Sequence, residues 1–283
     1  MVADPRKSVL RRLLELWGIH ARLSWLWMTR DARHCLTWVF ADLVSAVASI
    51  SGVLLLAERF QGIGRWSRWE VLFMLGYAQL VSGILGALFG FNILFISRRI
   101  GRGQLDHTLL QPQPVWMSLF SEGFSPVDGV ASFTPGVALI VWSLRHLSVR
   151  VTPEWTALLL ASLAASGTIV TAFSFICGVL AFWAPRGAEE ISSSALRMVD
   201  RLRPFPLDGV PSALAGGLLT LLPVGFAAWY PSRALLGHDP AGRWVTPLAA
   251  AAFAALAALL FRAGLRQYGR TGSLRYSDFG HRR

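Results

Sequence analysis

Six apolar blocks in this chain are each long enough to cross a lipid bilayer, at about residues 36–57, 71–96, 130–147, 155–181, 209–229 and 245–264. A crossing helix needs ~20 mostly apolar residues. The blocks absorb close to half of the 283 residues, and the connectors between them are short. They leave no room for a separate soluble domain. Charged residues make up 15% of the chain and hydrophobic ones 54%. A soluble domain carries nearer a quarter charged residues. The expected fold is an all-α integral membrane protein with six transmembrane helices.

The net charge of +11 does not point to nucleic acid. The basic residues are arginines scattered through the connectors, with Lys7 the only lysine. Their placement sets an orientation. With the N-terminus inside, one side holds Arg6, Arg11, Arg12, Arg22, Arg30 and Arg33, then Arg98, Arg99 and Arg102. Arg186, Arg197, Arg201, Arg203 and the tail from Arg262 fall there too. The other side holds Arg59, Arg65, Arg68, Arg145, Arg150, Arg233 and Arg243. Positive residues favour the cytoplasmic side, so both termini are expected inside.

Residues 1–34 form an N-terminal segment with an amphipathic pattern. Leu10, Leu13, Leu14, Trp17, Ala21, Ser24 and Met28 share one helical stripe, with Arg11, Arg12, Glu15 and Arg22 off it. The pattern suits a helix lying on the inner leaflet or a cap packed on the membrane domain. Residues 35–273 form the six-span domain and 274–283 a basic tail. No cleavable signal is expected, because arginines interrupt the first thirty residues.

Asp42 is the one acid within a span, near its inner end, where it can reach water or pair with Arg33 or His34. Ser82, Gly86 and Gly90 repeat every four residues on the second span. Small residues at that spacing let helices approach closely, either between subunits or within one chain.

Between the second and third spans lies a polar elbow, 97–114. Gly101 and Gly103 allow a sharp entry turn. Gln104 to Gln111 can make two helical turns, with Leu105 and Leu109 on one face and Asp106 in the first turn. Pro112 and Pro114 stop the helix. The elbow is either a docking surface for another protein or an arginine cluster followed by an interfacial turn.

Catalytic motifs are absent. A P-loop needs a lysine reaching the terminal phosphates, and Lys7 lies in no such motif. There is no HExxH, no GxSxG and no Cys/His ligand cluster. Cys35 and Cys177 are far apart and make neither a CxxC pair nor a metal site. No residue is a candidate for catalysis or metal binding, and the sequence names no substrate ligand. Without a deep acid in spans two to five, a proton-driven mechanism lacks its central group. Energy for any transport is expected from outside the chain.

Several fragments then occur in a telling order. They begin with Ile96-Ser-Arg-Arg-Ile-Gly-Arg-Gly-Gln-Leu-Asp106, Leu109-Leu-Gln-Pro112 and Phe120-Ser-Glu-Gly-Phe124. Phe182-Trp183, Leu222-Pro-Val-Gly-Phe226, Tyr230-Pro231, Leu235-Leu-Gly237 and Gly264-Leu-Arg-Gln-Tyr268 follow. From about residue 10 to 273 the chain resembles the permease subunits of ABC-2-type transporters, in the exporter branch. The family pattern lacks the extra glycine at Gly123.

The resemblance implies two permeases, identical or paralogous, in a bacterial plasma membrane. Two separate ATPase subunits would bind the inner face and carry ATP and Mg, with no cofactor on this chain. The elbow would be the coupling helix, with Arg98, Arg99, Arg102, Leu105, Asp106 and Leu109 as contacts. The second and fifth spans would line the dimer interface, which brings Ser82, Gly86 and Gly90 to it.

Overall fold

The computed structural model describes residues 9–272, apart from 60, 61, 95, 209, 240 and 241. The basic tail 274–283 lies outside the described residues, as does the side chain of Asp42.

Helix α1 (Val9–Arg30) leads into α2 (Ala32–Arg59). A two-stranded hairpin follows, β1 (Gly62–Ile63) and β2 (Trp66–Ser67), antiparallel with Ile63 opposite Trp66. Helix α3 (Arg68–Leu94) returns to the first end. There the elbow is made of α4 (Ile96–Gly101), α5 (Leu105–Leu109) and α6 (Val115–Ser121). Two long helices follow, α7 (Pro126–Leu144) and α8 (Pro153–Gly178). Each begins with proline, whose missing N–H costs nothing in a first turn. Thr152 caps α8 by accepting from the Trp155 N–H at 3.2 Å.

The most extensive contact is between α3 and α7, and it depends on glycine. A Cβ at Gly83 would lie 2.7 Å from the Phe133 nitrogen, and one at Gly129 would lie 2.3 Å from the Gly83 carbonyl oxygen. Backbones this close leave no room for a side chain. Pro135 sits inside α7 beside this seam without ending the helix.

After a 3₁₀ turn (Val179–Phe182) comes α9 (Pro185–Leu202). Its buried residues Ala188, Ser192, Leu196 and Val199 recur every three or four positions. The helix starts beside the elbow, where Glu189 pairs with Arg98 at 2.7 Å. It ends at Arg203, whose guanidinium donates to Ser82, midway along α3. Five residues on, the Asp208 carboxylate accepts from the Trp66 indole in the hairpin. The segment 185–208 therefore runs from the elbow end of the bundle to the hairpin end. The sequence places 186–211 in an inner-surface connector, so Arg197, Arg201 and Arg203 stand elsewhere than expected. One apolar face paid for by packing lets a charged segment run through the bundle.

The block 209–229 reads as one span in the sequence, and in the structure it is a bent pair of helices. Helix α10 (Ser212–Thr220) is followed by a break, a π-helical turn (Gly225–Trp229) and α11 (Tyr230–Leu235). The two arms meet at 76°. Both ends of the segment reach the hairpin corner. Asp208 accepts from Trp66 and, at 2.6 Å, from Trp229. His238 contacts Glu70 at 2.7 Å. The bend dips to the middle of α8, where Ser166 donates to the Phe226 carbonyl at 3.1 Å. Gly216, Gly217 and Pro223 in this stretch disfavour one continuous helix.

Helix α12 (Gly242–Thr271) returns to the elbow. Among the described residues, five helices are long and apolar enough to cross a membrane, namely α2, α3, α7, α8 with its 3₁₀ extension, and α12. The bent pair α10–α11 would make a sixth by length and composition. The chain is thus an all-α, multi-pass membrane protein.

Candidate functional site

The elbow is a folded unit pinned from behind. Helix α4 ends in a Schellman turn. Gly103 takes φ +70°, its N–H bonds the Ile100 carbonyl, and the Gln104 N–H bonds the Arg99 carbonyl, both at 3.0 Å. Only glycine adopts that φ without strain.

Arg99 is mostly buried and pairs with Glu122 across the elbow. Its guanidinium also donates to Thr108 at 3.4 Å. Gln111 donates to the other Glu122 oxygen at 3.3 Å and accepts from Ser118 at 2.6 Å. These bonds tie α4, α5 and α6 together. Gly123 then lets the chain pass the end of α3. A Cβ there would fall 2.0 Å from the Phe89 carbonyl oxygen. Helix α6 has ended by this point, so the glycine carries no helical phase forward.

Two more helices hold the elbow. The Tyr268 hydroxyl of α12 donates to Asp106 at 2.5 Å. The Trp17 indole of α1 donates to the Phe120 carbonyl at 3.0 Å, and its ring stacks on Phe124. Helix α1 has no buried residue of its own, and Leu10, Leu14, Trp25 and Trp27 stay exposed.

Of the six expected coupling residues, four face their own chain in part or whole. Leu105 is fully buried among Ile96, Ile100, Leu119 and Phe182. Its side chain is turned into its own chain. Asp106 and Arg99 anchor the fold, and Arg98 is half-exposed in its pair with Glu189. Arg102 and Leu109 do face outward. Sequence reasoning missed the rest of that outward face: Gln104, His107, Pro112 and above all Leu110, 83% exposed.

The small-residue stripe is used within the chain. Ser82 accepts from Arg203, and a Cβ at Gly86 would lie 3.1 Å from the Asp128 carbonyl oxygen. Both positions are engaged within the chain, by α9 and α7. The surroundings of Gly90 lie outside the described residues.

Behind the elbow lies an apolar cavity of about 660 Å³ between α3, α6, α8 and α12. Trp116 and Leu119 form its elbow wall, Phe89 and Phe175 its sides, and Arg262 stands at its edge.

A family model described as ABC-2 family transporter protein matches residues 43–272. The chain belongs to the ABC-2 transporter family. It is a permease of an ABC transporter, and ABC-2 permeases in general associate with an ABC ATPase subunit. No curated protein matches the chain, and no solved structure does. The elbow, the long α9 and the bent α10–α11 pair all lie within the ABC-2 match.

Proposed function

We propose that this chain is the permease half of an ABC exporter in a bacterial plasma membrane, working as a pair of permeases with two separate ATPase subunits that hold ATP and Mg. The permease has no ATPase activity of its own. The observation that carries the coupling is the elbow's two-sidedness. Its back is fixed to α9, α12 and α1, while Arg102, His107, Leu109 and Leu110 stand free of the bundle's core. A rigid lever with an uncovered tip transmits force, and a floppy loop does not.

Six crossings fit this reading: α2, α3, α7, α8, α9 and α12, with α10–α11 re-entering from the outer side. Both termini and the elbow then lie in the cytoplasm. ATP-driven closure of the ATPases shifts the permeases between two discrete arrangements, biased by differential binding energy.

The test uses Leu109→Asp with Leu110→Asp in the full transporter. ATPase co-purification and transport should both be lost, while the permease keeps its elution position and melting temperature. Leu105→Asp should instead unfold the elbow, because it buries a charge. If the double variant retains transport and its ATPase, the coupling surface lies elsewhere. Transport that survives ATP depletion but stops with a protonophore would replace this reading with an ion-coupled one.

A further inference from the structure

The outward face of α9 is a charged surface that runs past the bundle's middle. Glu190, Ser194, Arg197 and Arg201 lie at spacings of three and four, and all are exposed. On the opposite face Leu196 and Val199 pack on Phe173 of α8 and Val224 of the re-entrant bend. That packing fixes Arg197 and Arg201 at the depth of apolar helices α3 and α8.

Arginine at that depth does not face lipid without large cost. It faces water, an acid or an anion. Two of the acids on α9 are committed, and the third, Glu190, lies two turns from Arg197 toward the elbow. Glu189 pairs with Arg98. Asp200 pairs with Arg203 at 2.7 Å. Arg197 donates to Ser194 at 3.1 Å, and no ion pair is formed by Arg197 or Arg201 among the described residues. Arg203 lies on the buried face, one turn past Val199, and is paired with Asp200. Arg197 and Arg201, one turn apart and exposed, leave the outward face electropositive.

We propose that this face of α9 lines a water-filled path and recognises the anionic headgroup, phosphate or carboxylate, of an amphipathic substrate. The inference rests on the paired-permease reading above. In a two-fold pair whose axis follows the helices, each residue near the axis faces its own copy. Arg197 then opposes Arg197, and Arg201 opposes Arg201. Like charges in a low-dielectric setting repel, and an anion between them converts that repulsion into binding.

The test is Ser194→Cys in the full permease–ATPase complex, in membranes. The complex is treated with anionic sulfonatoethyl or cationic trimethylammonioethyl methanethiosulfonate, and modification of residue 194 is read by peptide mass. Relative to a free small thiol, the anionic reagent should be favoured about tenfold or more, since a charged cleft raises local counter-ion concentration. Arg197→Gln with Arg201→Gln should bring the ratio back to the free-thiol value. Leu256→Cys, on the exposed apolar face of α12, should react with neither reagent.

Dodecyl phosphate, dodecanoate and dodecyl maltoside then compete for access to residue 194. Protection by both anionic probes supports a general anion site. Protection by one alone assigns phosphate or carboxylate. Protection by the neutral maltoside as strongly as by the anions overturns the proposal, as does a charge-blind or unreactive Cys at 194. ATPase co-purification is scored on the same sample. A charge-blind path with the ATPase bound sinks only this inference. An anion-selective path with no ATPase sinks the ABC reading and leaves the path standing.

Discussion

Tyr268 donates a hydrogen bond to Asp106 across 162 positions of sequence, joining the last helix to the elbow. The bond makes the elbow part of the bundle's end. Tyr268→Phe removes the donor and leaves the ring packed on Phe182. A bond to a charged acceptor is worth ~1.5–3 kcal/mol, and partial solvent access lowers that to ~1–2. The variant should melt a few degrees lower in detergent. Protease should cut the 102–114 segment faster. An unchanged cutting rate would mean that Arg99 and Trp17 hold the elbow without α12.

Arg99 and Glu122 make a stronger fastening. Glu122→Gln leaves the mostly buried Arg99 without its counter-charge. Breaking a fully buried pair costs ~3–5 kcal/mol, and the remaining exposure here reduces that to ~2–3. Arg99→Met paired with Glu122→Leu should recover much of the loss, because no charge is then stranded. A double-mutant cycle on melting free energy should give a coupling of at least ~1 kcal/mol. Simple additivity would show that the pair is not formed.

The extra glycine at 123 is explained by space. Its φ is unexceptional, but a Cβ would collide with the Phe89 carbonyl. Gly123→Ala should cost ~1–3 kcal/mol, as overpacking does. Gly187, on α9, has nothing within 4 Å of a built Cβ. Gly187→Ala should be neutral or stabilising by up to ~1 kcal/mol, since alanine favours helix. Yield and thermal unfolding of the two variants in parallel check the contrast.

Much of this architecture was legible in the sequence. The blocks around α2, α3, α7, α8 and α12 stand out by length and hydropathy, because those helices are apolar on all sides. The elbow's limits were marked by Gly103, Pro112 and Pro114. Helix α9 was hidden for a physical reason. Hydropathy averages both faces, and here the buried row is diluted by Glu190, Arg197 and Arg201. Its period was visible all the same, with Ala188, Ser192, Leu196 and Val199 on one side. The direction of Leu105 was not legible. A two-turn helix shows which residues share a face, but which face turns inward depends on Phe182 and Tyr268, far along the chain.

The Asp208 carboxylate is a fastening that no short-range pattern announces. It accepts from two indoles, Trp66 of the hairpin and Trp229 of the π-helical turn, so it holds the re-entrant segment to the hairpin end. Trp66 and Trp229 are both buried, and neither indole has a water-facing alternative. Asp208→Ala strands two buried N–H donors, each worth ~1–3 kcal/mol. A loss of ~2–4 kcal/mol follows, with Trp fluorescence shifting as the corner opens. Asp208→Asn keeps an acceptor oxygen and should lose less than half as much. Its amide can serve one indole well and the other poorly, whereas a carboxylate serves both. Equal losses for the Ala and Asn variants would show that charge, not acceptor geometry, holds the corner.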